Sequence, residues 1–233
     1  MSDVAIGGRL SSVAKFVRQG AMFADVGTDH AYLPVFLLIR GVIDRAVCSD
    51  INAGPLANAR ATAAEYGVYE KIDFVLTDGA GELSDFGITD MAIAGMGGEL
   101  IAEIIEGAPF LMRGGVRLVL QPMTKQEHLR RYLYEHGFSL VGEDYVCEGD
   151  KSYLILAAEY TGHVPTSPAG REVTLGTLCR GALSGQYNYL TSKLKSKLSA
   201  YEGLLRGGRC DGELMEDISY IKGLLSEISR SKL

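Results

Sequence analysis

The amino-acid sequence of 233 residues predicts an α/β protein with a mostly parallel sheet, followed by an appended helical hairpin. Over the first 160 residues, short apolar, β-branched runs alternate with helical stretches, which is typical of a parallel sheet covered by helices on both faces. Later in the chain, apolar residues recur at intervals of three and four, which indicates long helices. With 47% hydrophobic and 22% charged residues, the chain can bury a core, and we exclude a disordered protein.

Seven short apolar runs are predicted as strands. The first five are separated by helical stretches, which give the crossovers that parallel strands need. Only the acidic turn EGDK separates the last two, so the sheet is predicted to end in an antiparallel hairpin. The predicted strands are 22–26, 45–51, 72–77, 90–94, 116–120, 140–146 and 153–160, and the predicted helices are 32–40, 53–66, 98–107 and 125–136.

The C-terminal part has a different periodicity. Two apolar seams with helical spacing are formed by Leu190, Leu194 and Leu198 and by Ile218, Ile221 and Leu225. The glycine-rich segment 207–212 lies between the seams, which favours a coiled-coil hairpin. Because the segment 162–170 has the composition of a linker, we predict one domain over residues 1–164 and a second over residues 165–233.

The net charge is distributed unevenly between these two parts. The formal charge of −6 would by itself argue against a nucleic-acid partner. Residues 1–164 contain 13 Lys and Arg against 22 Asp and Glu, a net of −9, whereas residues 165–233 contain 10 against 7, a net of +3. The densest basic cluster, at 193–197, is compatible with a solvated helix surface and with phosphate binding.

Cysteine spacing and hydropathy restrict the compartment. The four cysteines lie at least 30 residues apart without a C-x-x-C pair, which argues against a zinc ribbon or a disulfide framework. No apolar run reaches 18 residues, and the first twenty residues lack the apolar core of a signal peptide. We therefore expect a reduced, cytoplasmic protein with no metal and no membrane partner.

Acidic residues and glycines follow four successive predicted strands. The turns are ADVGTDH at 24–30, SDI at 49–51, TDGA at 77–80 and AGMGG at 94–98. Each alone could be a tight turn or a helix cap, but ligands of doubly wound folds bind at the sheet edge where such turns meet. The first turn lacks the further glycines of G-x-G-x-x-G, so a pyrophosphate ligand is not expected. Acidic turns suit a cationic ligand or a ribose.

This arrangement resembles the class I S-adenosylmethionine-dependent methyltransferases, whose seven-stranded, Rossmann-like sheet also ends in an antiparallel hairpin. Arg9-Leu10 and the segments 24–34, 93–101 and 120–130, together with the helical hairpin, are similar to the bacterial tRNA (adenine-22-N1)-methyltransferase family. The resemblance covers essentially the whole chain. Methyltransferases that act on exocyclic amines have Asn/Asp-Pro-Pro-Tyr/Phe after the fourth strand, and GMGG stands there instead, which argues against an exocyclic nitrogen as the nucleophile.

The resemblance implies S-adenosyl-L-methionine as cofactor and N1 of adenine 22 in the tRNA D-arm as methyl acceptor. The implied cofactor-binding residues are Arg9, Asp25, Gly27, Asp29, Asp50, Ile51, Asp78, Gly79 and Gly95. The implied catalytic residues are Asp29, His30, Gly95 and Met96. Asp29 is the first candidate to accept from the N6 amine, ahead of Asp90, which opens a predicted strand. His30 could instead only orient the turn, and Gln121 could read an adenine edge or lie in a simple turn.

Arg180, Lys193, Lys197 and Arg206 are the predicted tRNA contacts. The hairpin could alternatively mediate dimerisation, and the oligomeric state stays open. Two other functions are also open at this point. One is a class I methyltransferase of a small molecule or a protein, and the other is an inactive adaptor that keeps the fold.

Overall fold

A computed structural model describes residues 4–149, 151–164, 170–180 and 186–230, apart from the side chains of residues 171, 179 and 180. The strands are β1 (Ala21–Val26), β2 (Ile43–Asp50), β3 (Ile72–Leu76), β4 (Asp90–Gly97), β5 (Arg117–Thr124), β6 (Phe138–Glu148) and β7 (Lys151–Tyr160). The α-helices are α1 (Gly8–Ala14), α2 (Tyr32–Ile39), α3 (Ala53–Glu65), α4 (Gly98–Glu106), α5 (Gln126–Glu135), α6 (Gly170–Leu175), α7 (Tyr187–Arg206) and α8 (Gly212–Arg230). Short 3-10 turns occur at Tyr69–Lys71, Gly81–Phe86, Pro109–Arg113 and Gly176–Arg180.

The strands form one seven-stranded sheet in the order β3-β2-β1-β4-β5-β7-β6. Strands β1 to β5 are parallel, and β7 is antiparallel to both β5 and β6. The predicted fold class and the final antiparallel hairpin are confirmed. Strands β4 and β5 are longer than predicted because their pairing continues through an irregular register between Ala94 and Gly97, which draws the AGMGG turn and Gln121 into the sheet.

Helices cover both faces of the sheet. Apolar residues of α1, α2 and α3, including Val13, Leu37 and Ala59, form the core on one face. On the other face, Ile101 of α4 and Leu133 of α5 belong to a second buried cluster. The central strands are therefore buried on both sides, which explains their almost continuous apolar sequences.

The C-terminal helices form the predicted antiparallel hairpin. Lys197 of α7 lies 2.8 Å from Asp217 of α8, and the Tyr201 hydroxyl donates to the Met215 sulfur at 3.0 Å, nearer the turn. Apolar residues of this hairpin belong to the same buried cluster as α5; they include Leu190, Ile221, Leu224 and Ile228. The hairpin therefore shares a core with the sheet domain.

The predicted domain boundary falls next to residues 165–169, which are outside the described residues. The division into two domains therefore stays a prediction.

A buried ion pair between α5 and β6 links helix α6 to the sheet. Arg130 Nε of α5 donates to Glu143 Oε1 of β6 at 2.8 Å, and both side chains are fully buried. Arg130 Nη1 also donates to the carbonyl oxygens of Val173 and Thr174 in α6. Because a buried charge is tolerated only when it is paired and hydrogen-bonded, this network fixes α5, β6 and α6 relative to one another.

We expect Arg130→Met to lower the free energy of unfolding by about 3 kcal/mol or more, because Glu143 would be left as an unpaired buried charge. Urea unfolding followed by circular dichroism measures the change. Arg131→Met, at the exposed neighbouring position, is the control and should cost much less. Equal costs for the two variants would contradict a structural role for the buried pair.

Candidate functional site

The turns at the carboxyl ends of β1 to β4 enclose a cavity of about 200 Å³. The structure brings together six residues that the sequence singled out, namely Gly27, Asp50, Ile51, Asp78, Gly79 and Met96. Of the remaining lining residues, Val26, Ser49 and Thr77 lie in the turns that the sequence indicated but were not named as site residues, whereas Leu100 and Ile104 of α4 were missed. Leu100 and Ile104 stand four residues apart on α4 directly after the glycine turn, and that spacing is the signal that could have found them.

Gly27 has a backbone conformation that favours glycine, and the end of the Met96 side chain lies against it. Its φ of 75° lies in the left-handed region, and a Cβ at this position would clash with Met96 Cε. The amides of Gly27 and Thr28 donate to the Ser49 carbonyl oxygen at 2.8 and 2.9 Å. These hydrogen bonds hold the turn after β1 against the end of β2, at the wall of the cavity.

Polar groups on the cavity wall fit an adenosine. Ser49 Oγ and Thr77 Oγ1 are buried and have no hydrogen-bond partner among the described residues, which is the state of groups that await a polar ligand. Asp50 Oδ1 accepts from the Asn52 amide at 2.7 Å, which orients the carboxylate at the cavity. The described lining contains two carboxylates and no cation, so it suits ribose hydroxyls and a purine better than a phosphate.

A second polar cluster lies at the carboxyl ends of β4 and β5. Arg9 of α1 donates from Nη1 to Gln121 Oε1 at 2.7 Å, and Gln121 is fully buried. The same guanidinium nitrogen lies 3.7 Å from the position of a Cβ on Gly95. Because a guanidinium only donates, it fixes the Gln121 amide with the Nε2 donors turned away, toward the Met123 sulfur at 3.5 Å. The predicted cofactor residues thus form two neighbouring groups.

Asp25 lies at the end of β1, beneath the first turn. It is partly buried and accepts a hydrogen bond from Thr28 Oγ1 at 2.7 Å. Burial raises its pKa to about 6, although the Thr28 hydrogen bond and the Arg9 charge act in the opposite direction. Burial and the Asp25 carboxylate also raise the pKa of the adjacent Cys48 thiol, so that thiol is neutral.

Asp29 and His30 lie beside the cavity and are not among its lining residues. The Asp29 side chain is 75% exposed, and its Oδ2 is 3.6 Å from His30 Nε2. The His30 ring stacks on Tyr32, with 5.4 Å between the ring centroids. Ala31 between them has a φ of 54°, and Lys125, with 53°, is the other non-glycine residue in the left-handed region among the described residues. Both follow strands at this edge, where backbone strain often accompanies function.

The predicted tRNA contacts fall into three groups. Arg206 is 80% exposed, whereas the side chain of Arg180 is outside the described residues. The side chains of Lys193 and Lys197 are only 12% exposed and are already paired, with Glu127 at 2.8 and 3.4 Å. Burial alone would raise the pKa of Glu127, but the two lysines lower it below its usual range. The Lys193 and Lys197 ammonium groups therefore serve first to join α5 and α7, and their predicted contact with tRNA stays untested.

Metal-ligand clusters and membrane-spanning helices are two further features to consider. Within the described part of the chain, no three His, Cys, Asp or Glu side chains are grouped as metal ligands would be. The helices it contains are too short or too polar for any of them to cross a membrane.

The fold and the cavity together define a class I S-adenosylmethionine-dependent methyltransferase. The family model "Methyltransferase domain" matches residues 6–156. The tRNA (adenine(22)-N(1))-methyltransferase of Bacillus subtilis is 31% identical over 207 residues, covering 87% of each chain. The chain therefore belongs to the tRNA (adenine(22)-N(1))-methyltransferase family, as the sequence motifs predicted.

Solved structures agree with this assignment. The Bacillus subtilis M1A22 tRNA methyltransferase TrmK is 27% identical, with a TM-score of 0.76 and coverage of 97% of this chain and 98% of that one. A Streptococcus pneumoniae protein crystallised with S-adenosyl-L-methionine is 33% identical, with a TM-score of 0.76 and coverage of 95% and 100%. The likeness thus extends over the C-terminal helices as well as the sheet.

We expect Gly27→Ala to weaken binding of S-adenosyl-L-methionine by about tenfold or more, because the new methyl group would push Met96 into the cavity. Isothermal titration calorimetry measures the affinity. The matched control is Gly20→Ala, which has nearly the same φ of 74° but open space around the added carbon. Both variants should lose about 1–2 kcal/mol of stability from backbone strain. Equal cofactor affinities would contradict the proposed steric role of Gly27.

We expect the stability cost of charged Asp25 to appear as a dependence on pH. The folded-state pKa of about 6 is above the ordinary value of 3.8, so the contribution of Asp25 to stability is full below pH 4 and is lost as the pH rises through 6. Asp25→Asn removes this dependence. The variant should gain about 3 kcal/mol relative to the wild type between pH 4 and pH 7 in urea unfolding. A difference that is constant over this range would contradict the raised pKa; Asp44→Asn controls for loss of an exposed carboxylate.

Proposed function

We propose that this chain transfers the methyl group of S-adenosyl-L-methionine to N1 of adenine 22 in tRNA, in the bacterial cytoplasm. The observation that carries the proposal is the cavity between the acidic and glycine turns, in a chain that is similar over 87% of its length to an enzyme of that activity. Unpartnered hydroxyls and two carboxylates on the cavity wall also favour a working cofactor site over an inactive adaptor.

The two polar clusters would bind different parts of the cofactor. Asp50, with the hydroxyls of Ser49 and Thr77, would hold the adenosine, and Leu100 and Ile104 would cover the purine ring. Arg9, fixed by Gln121 near Gly95, would bind the carboxylate of the methionine part. When bound, S-adenosyl-L-methionine supplies an electrophilic methyl group on a positively charged sulfur, which the acidic turns attract.

The reaction requires little acid–base chemistry from the protein. N1 of a neutral adenine has a free lone pair, so no proton must leave before N1 attacks the methyl carbon. The protein's contribution is to align N1 with the methyl–sulfur bond and to exclude water. Since N1 is otherwise paired or stacked, the base must be turned out of the RNA to reach the end of β4, where the Gly95–Gly97 backbone allows a close approach.

The positive charge that develops on the adenine ring gives Asp29 a role. Its exposed carboxylate stands beside the cavity, where it would accept a hydrogen bond from the N6 amine and stabilise the methylated ring. His30, close to Asp29 and stacked on Tyr32, would orient that carboxylate or contact the base. Gln121 is fully buried, so it would act by holding the Arg9 guanidinium in place and not by reading the base edge.

We expect the purified protein to form 1-methyladenosine when it is incubated with labelled S-adenosyl-L-methionine and unmodified tRNA. A tRNA with guanine at position 22 is the control substrate and should stay unlabelled. Nucleoside analysis by mass spectrometry identifies the product. Binding of the cofactor without any 1-methyladenosine would overturn the proposed activity.

We expect Asp29→Ala to lower kcat by about a hundredfold, because it removes a carboxylate from the charge that develops in the transition state. Asp44→Ala, at the opposite end of the sheet, should keep wild-type activity. Single-turnover kinetics with saturating tRNA separates the chemical step from binding. Unchanged turnover in Asp29→Ala would show that the carboxylate is not used.

A further inference from the structure

A polar groove runs along α7, beside the candidate site. Two adjoining depressions, of about 480 and 370 Å³, share Ser152 and Ser192, and we call the continuous depression the α7 groove. Its described lining includes Asn188, Thr191, Ser192 and Lys195 on α7 and Ser152 on β7. The groove begins at Met123, two residues after Gln121 in β5, and so adjoins the methyl-transfer edge.

Helix α7 presents two different polar faces. One face packs against the protein and contains Lys193 and Lys197, which are paired with acidic residues. The other face is exposed along the groove and contains Asn188, Thr191, Ser192, Lys195 and Ser196. Lys195 has no ion-pair partner among the described residues, so its positive charge is available to a ligand.

The charge and chemistry of the lining favour an anionic, hydrogen-bonding ligand. The chain as a whole has a net charge of −6, yet Glu127 is the one carboxylate among the described lining residues, and Lys193 and Lys197 compensate it. Short hydroxyl and amide side chains, lysines and backbone amides are the groups that contact phosphate and sugar oxygens. A protein partner would need several apolar anchors, and Met123 is the one large apolar side chain that is exposed among the described lining residues.

We propose that the α7 groove holds the sugar–phosphate backbone of the tRNA strand next to the methylated adenine, with Lys195 as its phosphate contact. This proposal rests on the proposed tRNA substrate. It assigns the phosphate contact to Lys195, whereas the sequence analysis predicted Lys193 and Lys197 as tRNA contacts. The Tyr189 hydroxyl donates to Gln126 Oε1 at 2.8 Å, which links α7 to the start of α5, directly after β5. A strand leaving the methyl-transfer edge would therefore enter a groove that is held in place.

The test compares tRNA binding by the full chain and by two groove variants, Lys195→Glu and Ser192→Asp. Lys222→Glu, which makes the same charge reversal at an exposed position of α8, is the matched control. Fluorescence anisotropy with labelled unmodified tRNA gives Kd at several salt concentrations, and calorimetry gives the affinity for S-adenosyl-L-methionine. Circular dichroism verifies that each variant is folded.

Both groove variants should weaken tRNA binding by about tenfold and Lys222→Glu by about twofold at most, with cofactor affinity unchanged. Lys195→Glu should also reduce the slope of log Kd against log salt by about one. If the wild type methylates tRNA and all three variants bind tRNA as tightly as the wild type does, the groove proposal is wrong and the proposed function stands. If groove variants lose tRNA binding but the wild type forms no 1-methyladenosine, the groove stands and the activity is wrong. A wild type that does not bind tRNA overturns both.

Discussion

The alignment of β1 with its two parallel neighbours is the constraint on which the site depends. The ladder pairs Val26 with Ser49 on one side and with Ile93 on the other, so the three strands end nearly level. Backbone hydrogen bonds from Gly27, Thr28 and Thr77 then continue the ladder past the strand ends. The turns are consequently fixed by main-chain geometry, and their carboxylates and hydroxyls face one cavity without needing side-chain partners to hold them there.

The other half of the sheet has a different task. Strands β6 and β7 carry no cavity residues of the cofactor site and instead support the helical hairpin through a shared core and the Arg130–Glu143 pair. The ends of β4 and β5, with Arg9 and Gln121, lie between the two halves. In the proposed arrangement, a base at this position would have the cofactor on one side and the α7 groove on the other.

Periodicity and turn composition were sufficient to predict the sheet, the final hairpin and the turns that form the cavity. These features are local, because a strand, a glycine turn and an acidic strand end each lie within a few neighbouring residues. The pairing of Arg9 with Gln121 joins residues 112 positions apart, and no local pattern indicates it. Arg130 lies in the polar sequence of the predicted helix 125–136, and only the fold shows that it is buried.

The charge count predicted which part of the chain is basic, but it could not predict which of its lysines are unpaired. The net charge of +3 on residues 165–233 identified the basic part of the chain. Whether a particular lysine is free depends on which side chains pack against it, and Lys193 and Lys197 are occupied by Glu127 and Asp217. A sum over a sequence segment gives equal weight to a paired and an unpaired cation, although only the unpaired one contributes fully to the potential that RNA meets.

The two left-handed non-glycine residues differ in how their strain is offset. Ala31 is buried, and the packing of its methyl group compensates much of the roughly 1–2 kcal/mol that its conformation costs. Lys125 is exposed, and its contact with the exposed Glu99 at 3.4 Å contributes little. The turn between β5 and α5 therefore has the smaller reserve of local stability, and it should open more readily in the native state than the turn before α2. That turn leads from Gln121 into the α7 groove, so the most easily opened part of the sheet edge is where the RNA strand would pass.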